Sequence, residues 1–209
     1  KKDSVKGIWD SIKDKYTDKG HFVYELLQNA DDAGATKATF ELYQDDVGDN
    51  GRLIFRHNGT KHFFTSDPTS GVESQDKQDN RLGSVNAITS VAQSNKTTNR
   101  IGKFGVGFKS VFHYTLSPII YDEGIRFRIV DYIVPDFDIP EYSGSPARVK
   151  GETIFIIPFN RPANESAQID GKMRIPTKKE CYEEIKERIV SLKMPTLFLT
   201  NLRLIAYKC

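Results

Sequence analysis

The stretch His21–Ala35, HFVYELLQNADDAGA, decides how the rest of the chain is read. Phe22, Leu26, Ala30 and Ala33 recur at helical spacing and form one apolar stripe. Gly34 is a natural stop behind it, so a helix is predicted over Gly20–Ala33. Glu25, Asn29 and Asp32 lie at i, i+4 and i+7 and form a second, polar stripe beside the first. Val23, Tyr24 and Leu27 are apolar or aromatic as well, which predicts a helix buried on most sides. A buried carboxylate–amide–carboxylate row needs compensation, because unpaired polar burial costs several kcal/mol. A metal ion bound to a phosphate would supply it, with Asn29 offering a neutral oxygen and Glu25 orienting water. The plain alternative is a solvated polar face.

Outward from this helix the chain alternates hairpins and helices. On the N-terminal side, Val5, Ile8, Trp9, Ile12 and Tyr16 predict a helix over Val5–Tyr16. On the other side, Ala38, Phe40 and Leu42 alternate, DDVGDNG turns, and Leu53 and Phe55 return, which reads as a β-hairpin. The polar stretch from Ser66 to Ser84 reads as a surface loop, and a short helix is expected at Val85–Ala92. A further hairpin is predicted from Ser117–Tyr121 and Ile125–Tyr132, closed at Asp122–Gly124. Asp136–Val149 is a Pro/Gly-rich loop, Glu152–Phe159 a strand, Lys178–Leu192 an amphipathic helix, and Pro195–Lys208 one or two strands. Strand pairs joined by hairpins and interspersed with helices predict an α+β fold with a largely antiparallel sheet.

The second informative stretch is IGKFGVGFKS, residues 101–110, with Gly102, Gly105 and Gly107 spaced G-x-x-G-x-G. The dinucleotide fingerprint has the reverse spacing and follows a strand, whereas polar SNKTTNR precedes this one. A Walker A loop needs Gly directly before Lys-Ser/Thr, and Phe108 intervenes here. Two readings remain. One is an anion nest of backbone N–H groups with Lys103 and Lys109 adding charge; the other is a tight turn between packed elements.

Composition bounds the rest. The 209 residues fit one domain, and 30 basic against 28 acidic side chains leave a net charge of +2. That balance does not indicate a nucleic-acid or membrane surface. Two cysteines give neither a disulfide framework nor a zinc clip, and a reducing, cytoplasmic setting fits. His21, His62 and His113 have no metal-spaced partners, and no G-x-S-x-G is present. The chain opens KKDSVKG without an initiating Met, which suggests an N-terminal portion of a larger multidomain protein.

Taken together, these pieces resemble the GHKL ATP-binding superfamily. The resemblance rests on ELLQNADDA, HNG at 57–59, IGKFGVGFKSVF at 101–112 and G-x-T from Gly151 to Thr153. With VNAITSVAQSNK added, the wording looks like the sacsin-type, heat-shock-chaperone-like N-terminal ATP-binding domain over residues 4–160. The resemblance implies a Bergerat two-layer sandwich: a mixed, mostly antiparallel sheet, helices on one face, and an ATP lid. It implies ATP and Mg²⁺ as ligands, and slow hydrolysis that drives conformational change in a chaperone-like or bacterial defence or nucleic-acid-processing protein. Partners would be the C-terminal domains of that protein and a second copy in an ATP-dependent homodimer. By position, Glu25 would be the general base and Asn29 the Mg²⁺ ligand, with Asp32 in support. Lys96, Gly102, Lys103, Phe104, Gly105, Val106, Gly107 and Phe108 would wrap the phosphates. His57, Asn58, Gly59 and Thr153 would lie around the base. Most of the superfamily has Asp where His57 stands, accepting a hydrogen bond from the adenine amine. A neutral imidazole can accept one such bond and a protonated one cannot; alternatively His57 ends a strand and points elsewhere. A module that binds nucleotide without hydrolysing it, a sensor or scaffold, is the competing function.

Overall fold

The computed structural model describes residues 21–44, 51–63, 85, 88, 108–163, 175–192 and 199–209. The helix read at Val5–Tyr16, the loop at 66–84, most of the helix at 85–92 and the glycine cluster at 102–107 lie outside the described residues. Of the 85–92 segment, Val85 and Ile88 are described; both are helical and buried.

The fold is α+β. Helix α1 (His21–Asp32) leads into strands β1 (Lys37–Tyr43) and β2 (Arg52–His57). Among the described residues a 3-10 helix (Phe108–His113) follows, then β3 (Ile119–Tyr121), β4 (Arg126–Val130), β5 (Val134–Asp136) and β6 (Thr153–Pro158). Helix α2 (Lys178–Val190) and β7 (Leu204–Lys208) close the chain. The seven strands form one sheet in the order β5-β4-β3-β6-β2-β1-β7. Among the described residues every pairing is antiparallel except that of β7 with β1, so the sheet is mixed and mostly antiparallel, as expected.

Helix α1 ends where the sequence says it should, and the reason is visible. Gly34 has φ of 77°, in the left-handed region that glycine enters without strain. Its N–H donates to Asp31 O at 2.8 Å and the Ala35 N–H donates to Ala30 O at 2.9 Å. This pair of bonds satisfies carbonyls the helix end would otherwise leave open. The other helix is held at its start. The Thr177 hydroxyl accepts from Glu180 N, and the Glu180 carboxylate accepts from Thr177 N.

Strand alternation sorts the side chains into two faces. Ala38, Phe40 and Leu42 of β1, Leu53 and Phe55 of β2, and Phe155 and Ile157 of β6 share the face packed by both helices. Phe40, Phe55 and Phe155 stand in one cross-strand row, with ring centroids 4.7 and 6.0 Å apart. From α1 the same core receives Phe22, Leu26 and Ala30, and from α2 Cys181, Ile185 and Ile189. Helices therefore lie on one face, which is the expected two-layer arrangement. The opposite face carries a smaller cluster of Ile54, Tyr121, Ile139 and Ile154. Arg56, from the same face, pairs with Glu41 at 2.6 Å and Glu152 at 3.1 Å, and donates to Pro146 O at 2.9 Å. These contacts tie the segment before β6 over the smaller cluster.

Strand β5 was not anticipated. Asp131 and Tyr132 make the turn before it with φ of 48° and 67°. Asp131 tolerates that region, but no glycine follows it, so the turn lacks the Asp-Gly pair that marks a hairpin in sequence. Of the one or two strands expected at the C-terminal end, the described residues form β7; residues 195–198 lie outside the described residues.

Candidate functional site

On α1 the polar stripe is not uniformly buried. Asn29 is buried, Glu25 is half-buried and Asp32 is exposed. Tyr24 is 49% exposed, so the helix has an open side that its composition did not predict. The buried carboxylate is Asp31. It accepts N–H groups from Thr200 at 2.9 Å, Asn201 at 2.6 Å and Leu202 at 2.8 Å. Burial pushes its pKa upward, but those three backbone donors outweigh that and hold it below the usual carboxylate value. Asp31, which lies outside the Glu25–Asn29–Asp32 stripe, is thus matched by the chain itself. Asp32 is pushed up by partial desolvation and by the neighbouring Asp31, with Lys61 opposing.

The end of the sheet nearest α1 carries a polar group of four side chains, three of them buried and the fourth, His62, half-buried. Register places Ala38 opposite His57, and His57 opposite Thr153. This row continues the face of Phe55 and Phe155, but two of its three residues, His57 and Thr153, are polar. Asp122, just after β3, accepts the Thr153 hydroxyl at 2.8 Å and His62 Nδ1–H at 2.8 Å through one oxygen. Its other oxygen accepts the Phe63 N–H. The Asp122 side chain is fully buried and these three donors satisfy it.

His57 is 5% exposed. Gly59 N–H donates to its Nδ1 at 3.1 Å. Burial lowers its pKa to about 4; the Asp122 carboxylate opposes that shift and His62 adds to it. The imidazole is therefore neutral near pH 7. His57 ends β2 and faces the interior on the helix side, against Phe55 and Phe155.

Asn58 and Gly59 fix the chain around this group. Asn58 Oδ1 accepts from Thr36 N at 3.0 Å and Lys37 N at 2.9 Å, and its Nδ2 donates to Thr36 Oγ1. Its side chain thus joins the end of β2 to the start of β1. At Gly59 a Cβ would sit 2.8 Å from Ala33 Cβ and 3.0 Å from Ala33 O, so only glycine lets the turn lie against the end of α1. The 3-10 helix packs Phe108 against Phe155 at 5.8 Å. Lys109, next to it, is buried, and burial lowers its pKa to about 8.

Of the residues assigned by resemblance, the structure brings His57, Gly59 and Thr153 to one end of the sandwich, beside the C-terminal turn of α1. Glu25, Asn29 and Asp32 lie along α1 as expected, with unequal burial. Lys96, Gly102, Lys103, Phe104, Gly105, Val106 and Gly107 lie outside the described residues. Sequence reading missed Asp122, which stood as a turn residue in D-E-G, and His62, set aside for lack of a metal-spaced partner. The only trace either left was a polar residue next to an apolar strand. No helix among the described residues is long and apolar enough to cross a membrane.

Human Sacsin is 29% identical over 128 residues, 54% of this chain and 2% of Sacsin. The chaperone protein HtpG of Wolbachia pipientis wMel is 34% identical over 115 residues, 48% of this chain and 18% of HtpG. The chain thus spans less than a fifth of either relative. Among solved structures, the topoisomerase IV ATP-binding domain of Francisella tularensis aligns over 90% of this chain and 81% of that one, at 16% identity and a TM-score of 0.39. The Sacsin domain model matches residues 3–138, more than half of the sequence, and the chain belongs to that Sacsin domain family.

Proposed function

We propose that the chain binds ATP with Mg²⁺ and hydrolyses it slowly, as one domain at the head of a larger protein whose conformation the cycle drives. One observation carries the reading: Asn29 is buried on the face of α1, one turn after half-buried Glu25, beside a sheet end that carries buried polar groups instead of apolar ones. Membership of the Sacsin domain family and the identity to HtpG support it.

The donor set fits Mg²⁺ held chiefly by phosphates. Among the described residues no three His, Cys, Asp or Glu side chains come together to hold a metal. Mg²⁺ usually keeps several waters and takes one or two protein ligands beside substrate phosphates, and a single amide oxygen from Asn29 suits that. When bound, the ion would neutralise phosphate charge. Glu25 would hold the attacking water and accept its proton, acting from the turn before Asn29. Lys109 would add positive charge near the phosphates; with a pKa of about 8 it is mostly protonated at pH 7. The 102–107 backbone would close over them as a lid.

Calorimetric titration with a non-hydrolysable ATP analogue, with and without Mg²⁺, tests the reading. Micromolar to millimolar binding that depends on Mg²⁺ is expected. No heat and no thermal shift at millimolar ligand would sink it. Binding without any turnover in the full-length protein would select the sensor or scaffold reading instead.

A further inference from the structure

We infer that two copies of this chain join edge to edge through β7, antiparallel and about a two-fold axis at Ala206, so that the two sheets run on as one. Strands β7 and β5 are the two ends of the strand order. The Leu204 N–H donates to Thr36 O at 3.1 Å, on the β1 side. Bonded residues alternate along a parallel ladder, so Leu204, Ala206 and Lys208 turn their backbone groups to β1, and Ile205 and Tyr207 turn theirs outward. Tyr207 lies on the helix face, opposite Phe40, and is 55% exposed. Leu204 lies on the other face, opposite Lys37, and is 51% exposed. Both faces of this edge are therefore open to solvent at these positions.

The β5 edge is closed to such pairing. The Ile129 N–H donates to Pro118 O on the β3 side, so Ile129 and its β5 partner Pro135 exchange no bonds. Pro135 then turns its nitrogen outward, and that nitrogen carries no hydrogen. It stands in the middle of Val134–Asp136, so β5 offers no donor to an incoming strand. Strand β7, LIAYK, has no proline and keeps both outward donors. Its sequence also says what fits it. Pairing about Ala206 sets Ile205 opposite Tyr207 of the second copy and Tyr207 opposite its Ile205, and each pair exchanges both backbone bonds. Within β7 only this centre matches both outward residues to both of the second copy. An aromatic opposite a β-branched side chain is a favourable cross-strand pair. Ala206 meets its own counterpart at the unbonded position, where Cα atoms approach to about 4.5 Å and a small side chain fits. Leu204 falls opposite Lys208, so no like charges face each other. The contact spans one strand of five residues, so the dimer is a weak one, with a dissociation constant on the order of 100 µM.

Sedimentation velocity of the full chain from about 5 to about 500 µM, without nucleotide, tests the inference independently of the nucleotide reading. The weight-average sedimentation coefficient should rise by about a third across that range, and a monomer throughout overturns the inference. Because Ala206 faces itself, Ala206→Glu and Ala206→Lys each set like charges against one another at the axis. Each should remain monomeric at the highest concentration, and an equimolar mixture of the two should dimerise again. Dimers of either variant alone, or no dimer in the mixture of folded variants, overturn the inference. Should the variants fail to fold, amide hydrogen exchange of the unaltered chain decides. The Ile205 and Tyr207 N–H groups should exchange about threefold more slowly at the highest concentration than at the lowest, while those of Leu204 and Ala206 keep their rates. Unchanged exchange at 205 and 207 overturns the inference. Full protection of both already at the lowest concentration places another segment of the same chain on the edge and overturns it as well.

Discussion

Asp31 shows what a single carboxylate can hold. Its oxygens accept three consecutive backbone N–H groups, and Asn201 Nδ2 donates back to Asp31 O at 2.9 Å. Asp31→Ala leaves those donors unmatched, and the loss should be about 3 kcal/mol, measured by urea denaturation. An unchanged midpoint would show that water replaces the carboxylate. Because its pKa lies below the unfolded value, this contribution is present above about pH 4 and fades as pH falls through the lowered value. His57 acts in a higher window. Its folded pKa of about 4 lies below the ordinary 6.5, so the unfolded chain binds the extra proton first. Stability should therefore fall as pH drops from about 6.5 toward 4, by about 3 kcal/mol in all. His57→Gln, which removes the titration, should flatten that decline by about 2 kcal/mol between pH 7 and 4.5. Equal slopes in variant and wild type would remove His57 as the cause. On α1, Glu25→Ala should keep nucleotide binding and abolish turnover, while Asn29→Ala should lose both. Wild-type hydrolysis by Glu25→Ala would reassign the base.

At the scale of elements, the close fit is between the end of α1 and the turn after β2. Gly59→Ala places a methyl 2.8 Å from Ala33 Cβ and 3.0 Å from its carbonyl, so one of the two backbones must move. The expected cost is about 1–3 kcal/mol, read from thermal or chemical denaturation. The same shift disturbs His57 Nδ1, which lies 2.9 Å from the added carbon, so affinity for nucleotide should fall as well. A variant with full stability and full affinity would mean that the turn yields freely. These elements were legible to different degrees. Helix α1 shows in sequence because its apolar period and Gly34 agree, and α2 because Thr177 and Glu180 form a capping box ahead of an amphipathic run. The β1–β2 and β3–β4 hairpins show because glycine and aspartate mark their turns. Strand β5 does not, since Asp131 and Tyr132 adopt left-handed conformations with no glycine to announce them.

For the whole molecule, the consequential pairing is the parallel one of β7 with β1, which joins residues 37–41 to 204–208. It also positions the segment whose N–H groups meet Asp31. Truncation after Leu202 removes that ladder and bares the edge of β1, and should lower stability by at least about 2 kcal/mol and promote aggregation. A truncated chain with the stability of the intact one would show β7 to be an addition without structural weight. The sequence by itself determined the α+β class, the two-layer plan, the two hairpins and the family, because periodicity, turn residues and motif wording are local properties. It also placed Glu25 and Asn29 on one helical stripe, since their spacing is fixed by 3.6 residues per turn. What only the tertiary structure decided is which polar groups become buried and matched. Asp31 rather than Asp32 is the enclosed carboxylate because residues 200–202, far along the chain, bring their N–H groups to it. Asp122 and His62 join Thr153, and Gly59 fixes the tautomer of His57, through contacts between strands and loops that no window of sequence contains. Burial and hydrogen-bond complementarity are set by the packing of distant segments, and they alone gave the neutral His57 its polarity.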